Sequence, residues 1–250
     1  MSLALWAPAL ACRLVVGMAL LVAAGTAVAH VALDPERAQQ ILRDIATHHA
    51  ASSSGRGGDG EAEALFQAGE AVNTLVDMLN QDVIAHGQTS VLADAILRQL
   101  AVHAIAVSYA PRERRYVYDL AAYREYLRRT PAGPRAADAR FRLIARTFHG
   151  TLGPDPAALV NADLPALLRA IAAEEGFLRD HPGHEKAAEV RFFLAVDYYR
   201  AFRNAGDPAR ARPYGLRARQ ALERVTRSSN PFEARAAETL LEQTVDTLSQ

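Results

Sequence analysis

Two stretches of the chain say nearly the same thing. YLRRTPAGPRAADARFRLIARTF begins at Tyr126, and FLRDHPGHEKAAEVRFFLAVDYY begins 51 residues later at Phe177. With Pro131 set on Pro182, Leu127 and Arg128 fall on Leu178 and Arg179, and Ala136-Ala137 on Ala187-Ala188. Arg140, Phe141 and Leu143 fall on Arg191, Phe192 and Leu194. Pro231 opens a weaker third copy, PFEARAAETLL, in which Arg235, Ala236 and Ala237 align with Arg135, Ala136 and Ala137. Such a repeat constrains the fold strongly: each copy is the same small unit, and none can bury its apolar face without stacking on a neighbour. The unit reads as a helix–turn–helix joint. A bulky pair ends one helix, and the residue before proline is pushed out of the helical region. Alanines then open the next helix and let two backbones approach, and an aromatic fills the space beyond.

The rest of the chain is helical in pattern. Asp34 and Pro35 make an N-cap and a first helical residue, and Ala38, Ile41, Leu42 and Ile45 share a face. ASSSGRGGDG, residues 51–60, reads as a flexible linker. From Glu61 a long helix carries Leu65, Val72, Leu75, Val76 and Leu79 on one stripe, with Gly69 kept for close approach of another element. Gly87 stops it, Thr89 or Ser90 caps the next helix, and that helix runs from about Val91 through Leu100. IAVSY, from Ile105, reads as a helix end plus loop, because one isolated strand has nothing obvious to pair with. Helical patterns resume near Tyr116 and break at Thr130-Pro131, residues 150–156, His181-Pro182-Gly183, residues 204–208 and Asn230-Pro231. No segment alternates with period two. The expected fold is all-α, built of stacked antiparallel helical hairpins, with residues 1–29 a signal peptide, 30–60 a short helix and linker, and 61–250 the repeat domain.

AAYREYLRRTPAGPRAADARFRLI resembles the junction between successive tetratricopeptide-like repeats. Tyr123 and Pro131 match the aromatic and the proline of that pattern, and Phe192, Leu194, Ala195 and Tyr198 match its first-helix positions. In style it is similar to bacterial envelope members, the barrel-assembly lipoprotein and the Tol-associated periplasmic coordinator. The resemblance implies an α-solenoid that binds proteins or peptides. It covers roughly half of the chain after residue 29. Three features depart from it: the spacing is 51 because LGPDPAALVNADLPALLRA is inserted, Glu174 stands where an aromatic belongs, and residues 30–115 carry no clear copy.

Compartment is read from the first 29 residues. Arg13 is their only charge, the apolar run LVVGMALLVAA follows, and small residues stand at Ala27 and Ala29. This is the order of a secretory signal peptide, with cleavage expected between Ala29 and His30 and a periplasmic destination; a retained membrane anchor is the alternative. The only cysteine, Cys12, lies before the apolar run, so the exported chain has no disulfide and no thiol chemistry. The formal net charge is zero, which argues against a nucleic-acid partner. Of the 28 basic residues only Lys186 is lysine, which reads as composition bias.

The sequence shows no phosphate-binding loop, no nucleophile elbow and no H-E-x-x-H helix, and no cofactor or metal ligand set is expected. Glu70, Asp77, Glu174 and Glu175 read as solvated helix faces, and His181 and His184 as exposed turn histidines rather than a metal pair. His30, once freed as an N-terminus, offers an amine and an imidazole that can chelate copper if another histidine completes the site, a minor alternative to an arbitrary first residue. Residues 112–146 hold ten Arg against four acids, a candidate basic surface for an acidic peptide or anionic polymer. The tyrosines at 116, 123 and 126 read as one helical stripe that packs helices or presents an aromatic surface. The expected function is a non-catalytic adaptor that binds a protein or peptide in envelope assembly or maintenance. Its candidate partner surface comprises Tyr123, Arg128, Arg140 and Arg191. The alternatives are an exported enzyme or small-ligand protein on the same scaffold, and a purely structural protein.

Overall fold

A computed structural model describes residues 33–53, 58–149 and 163–249. The expected signal peptide, Cys12, His30 and most of the inserted segment lie outside them. The described residues form nine α-helices and one two-stranded hairpin, so the protein is all-α. The helices are α1 (Pro35–Ser52), α2 (Asp59–His86), α3 (Val91–Val102), α4 (Ala121–Arg129), α5 (Ala136–Ile144), α6 (Leu164–Asp180), α7 (Ala187–Asn204), α8 (Pro208–Val225) and α9 (Pro231–Leu248). The strands are β1 (Val107–Ala110) and β2 (Arg115–Tyr118). Among the described residues no helix is long and apolar enough to cross a membrane.

The chain divides into two compact units. One holds residues up to Ala46 and Ala71–Asp119, the other Thr47–Glu70 and Leu120–Gln250, so α1 and α2 contribute residues to both.

In the first unit, Ser90 accepts from the Ala93 N–H and starts α3, and Gly87, at φ +74°, ends α2. The IAVSY segment is not a helix end. Val107–Ala110 pairs antiparallel with Arg115–Tyr118 in the register Tyr109↔Tyr116. The partner strand is RYVY, only four residues downstream, and Arg114 takes a left-handed φ of 51° to close the turn. A two-stranded ribbon alone is marginal. Here the Tyr109 and Tyr116 rings lie 5.1 Å apart, and the buried Asn80 amide clamps Tyr116. Its Oδ1 accepts from the Tyr116 N–H at 2.6 Å and its Nδ2 donates to the Tyr116 carbonyl at 3.1 Å. One side chain of α2 thus satisfies the backbone groups that a third strand would have paired. Tyr116 consequently sits on a strand, not on a helical stripe with Tyr123 and Tyr126.

In the second unit, α6 packs on α7, α7 on α8 and α8 on α9. Short connections join these consecutive helices. Asp207 and Asn230 cap α8 and α9, and each is followed by a proline at the first helical position. The core is built on Phe141, Ile144, Leu167, Ile171, Phe193 and Leu222. Gly69 has the use expected of it: a Cβ there would lie 2.9 Å from the Tyr123 ring, so the glycine lets α4 lie against α2.

Candidate functional site

The repeated joints are congruent bond for bond. In the first, the Thr130 N–H donates to the Tyr126 carbonyl, Gly133 to Thr130, Ala136 to Gly133 and Ala139 to Arg135. In the second, His181 donates to Phe177, His184 to His181, Ala187 to His184 and Val190 to Lys186, each 51 residues on. The arginines repeat as well. Arg140 Nη2 donates to the Pro131 carbonyl at 2.9 Å, and Arg191 Nη2 to the Pro182 carbonyl at 3.1 Å. Each guanidinium ties the second helix of a joint to the turn that precedes it.

Where the copies differ, they compensate. The Tyr126 hydroxyl accepts from the Arg135 N–H at 2.9 Å and lies 2.6 Å from where a Cβ on residue 133 would stand. That position is glycine. In the second copy the tyrosine is Phe177, and its ring leaves room for His184, whose ring stands edge-on to it at 5.5 Å. His184 Nε2 reaches Asp138 Oδ1 at 3.1 Å, and Arg140 Nη1 donates to His181 Nε2 at 3.0 Å. The two turn histidines are therefore not solvated as expected, but bind the second joint to the first.

Burial first, and then the Arg140 charge, hold the His181 imidazole below its ordinary pKa of 6.5; His184 adds to this and Asp180 opposes it. The folded state thus binds fewer protons here than the unfolded state. The contribution of His181 is complete above pH 6.5 and declines as the pH falls below it. Urea midpoints measured at neutral and at mildly acidic pH should fall less in His181→Thr, which carries the residue of the first joint, than in the parent. An equal fall would contradict the pairing.

Of the four expected surface residues, Tyr123 is fully buried, with its hydroxyl donating to Glu70 Oε1 at 2.7 Å. Its ring packs inside the unit and is not partner surface. Arg140 and Arg191 are turn locks. Arg128 is 70% exposed and donates two hydrogen bonds of 2.6 Å to Glu125; with the bond from Arg129 these hold the Glu125 carboxyl pKa at about 2.

Two other sites emerge. The first is a groove of about 180 Å³ whose lining includes Phe66, Arg135, Asp138, Phe141, Arg142 and Lys186. The Arg135 guanidinium lies over the Phe66 ring at 5.5 Å, and the Lys186 ammonium over Phe141 at 5.5 Å. Arg142 is locked to Glu70 by two bonds of 2.8 and 2.6 Å. Arg135, by contrast, reaches Glu63 and Asp138 only at 3.5 and 3.6 Å, and Lys186 reaches Glu189 at 3.7 Å.

The second is a buried polar cluster. After α5 the backbone widens into a π turn, Ala145–His149, a feature common at functional sites. It delivers the His149 ring onto Phe193, stacked at 4.0 Å. His149 Nε2 lies 2.6 Å from Glu174 Oε1 on α6 and 3.7 Å from Asp197 Oδ2 on α7. Arg200 Nη1, one turn along α7, donates to Asp197 Oδ1 at 2.8 Å. The His149, Glu174 and Asp197 side chains are at most 1% exposed. Burial pushes the imidazole down to about 4 and the Glu174 carboxyl up to about 8, so burial disfavours the charged form of each. Burial, and then the Glu174 carboxyl, raise Asp197 to about 6. Glu174 is thus not on a solvated face, although Glu175 beside it is exposed. Its place at an aromatic position of the repeat was the available signal. Asp197 carried one too: α7 is buried nearly all round, and an acid in such a helix must find a partner. Nothing in the sequence around His149 singled it out.

Fold and joints together define an all-α protein with a duplicated helix–turn–helix unit. A scan against protein-family models, a search of curated proteins and a search of solved structures each give no match to this chain.

Proposed function

We propose that the protein is an exported helical-repeat adaptor of the bacterial cell envelope, of tetratricopeptide-like design, which binds an acidic segment of another protein without catalysis. One observation carries the choice of partner: Arg135 and Lys186 line the same groove, each lies over a buried aromatic face, and each is held only by carboxylates at 3.5 Å or more. Surface ion pairs of this kind are worth at most ~1 kcal/mol. A partner's carboxylates can therefore replace them at little expense, while the rings beneath favour the cations staying in place. The congruent joints support the stacking. The charged, apolar, small-residue order of residues 1–29 supports export.

A photo-crosslinking residue in place of Lys186, in the expressing cell, should join the protein to a peptide rich in Asp and Glu. Crosslinks only to neutral or basic segments, or none, would overturn the reading. Mass spectrometry of the protein from an envelope fraction should give His30 as its first residue; a chain that retains residues 1–29 would contradict cleavage.

A further inference from the structure

We propose that His149, Glu174 and Asp197 form a binding site for one divalent first-row metal ion of the zinc or manganese kind, which pins the π turn, α6 and α7 together. This is independent of the groove and of any partner.

The geometry fits. One donor atom from each of the three residues can be chosen so that all lie within 4.8 Å of one another. His149 Nε2 is 2.6 Å from one carboxylate and 3.7 Å from the other. Ligands that sit ~2.0–2.2 Å from a common ion stand at roughly such separations. One imidazole and two carboxylates suit borderline to hard divalent ions, and the absence of any thiolate or thioether argues against soft ones.

A second observation points to a ligand. Hydrogen bonding within the cluster is incomplete: His149 Nδ1, Glu174 Oε2 and Asp197 Oδ2 are all buried without a hydrogen-bond partner. A self-sufficient polar network in a core satisfies its members, and each orphaned group costs about 1–3 kcal/mol. Here the His149–Glu174 bond uses one oxygen of Glu174, and Arg200 uses one oxygen of Asp197. Arg200 orients Asp197 as an outer-shell group orients a metal ligand, leaving Oδ2 turned toward the histidine. An ion that engages both carboxylates takes the place of the Glu174–His149 hydrogen bond, and the proton of that bond leaves to solvent.

The chain, purified without a histidine tag, stripped with chelator and desalted, should take up about one equivalent of Zn(II) or Mn(II) and keep it through gel filtration. At a hundredfold excess over Kd the metal should raise Tm by roughly 5–10 °C. Glu174→Gln, which keeps the shape and a hydrogen bond to His149, should lose both effects. Co(II) added to the parent chain should give a visible spectrum that surface sites do not. No retained metal and an unmoved Tm in the parent would overturn the proposal. So would uptake undiminished in Glu174→Gln, which would place the ion on other histidines. Should Glu174→Gln not fold, the parent's stoichiometry and Co(II) spectrum decide alone.

Discussion

Asp197→Ala should destabilise the second unit by about 3–5 kcal/mol, measured by urea unfolding of the metal-free chain. The residue is fully buried in the middle of FFLAVDYY, and its carboxylate sits 2.8 Å from an Arg200 side chain that is itself only 14% exposed. Truncation removes a counter-charge, bonded at 2.8 Å, from a guanidinium already taken out of water, and opens a small void beside the His149–Phe193 stack. The double variant Asp197→Leu/Arg200→Met should recover most of the loss, because apolar residues of similar volume avoid the desolvation of both charges. A loss below about 1 kcal/mol in the single variant would mean that the cluster is more hydrated than its burial indicates.

Tyr123→Ala is expected to have an effect of comparable size, about 3–5 kcal/mol. Its ring is fully enclosed, edge-on to Phe66 at 5.7 Å and against the bare backbone of Gly69. Tyr123→Phe should lose less, about 1–3 kcal/mol, for the hydroxyl bonded to Glu70, which Arg142 also grips from α5. Urea midpoints for the two variants check both numbers. A partner-contact tyrosine would behave differently: its truncation would leave the midpoint unchanged and affect binding alone. The glycine gives an independent check, since Gly69→Ala must push the same ring aside.

The joints were legible because their rules are local. Proline dictates where α4 and α6 end, and alanines dictate where the next helices can approach, so the repeat specified two turns that agree hydrogen bond for hydrogen bond. The hairpin was missed for a non-local reason. VSYA and RYVY are too short to show alternation, and what stabilises them is the side chain of Asn80, 36 residues before Tyr116. The arginines of the joint looked like a recognition surface because charge on a helix is usually solvated. Two of them also donate to turn carbonyls nine residues back, a structural role that sequence spacing alone does not reveal. The polar cluster required three elements to converge, and only the misplaced glutamate at the aromatic position hinted at it.

The proposed function divides the work of the cations: Arg140 and Arg191 donate to the turns, whereas Arg135 and Lys186 would meet an acidic partner. Two double variants, assayed side by side for urea midpoint and for Lys- or Arg-dependent retention of a Glu-rich peptide on the immobilised protein, test it directly. Arg135→Glu/Lys186→Glu should abolish peptide retention with the midpoint nearly unchanged. Arg140→Ala/Arg191→Ala should lower the midpoint, by an amount equivalent to about 1–3 kcal/mol of stability in total, and retain the peptide while folded. If the first pair left retention intact, or the second pair abolished it in a fully folded protein, the assignment of roles would be contradicted.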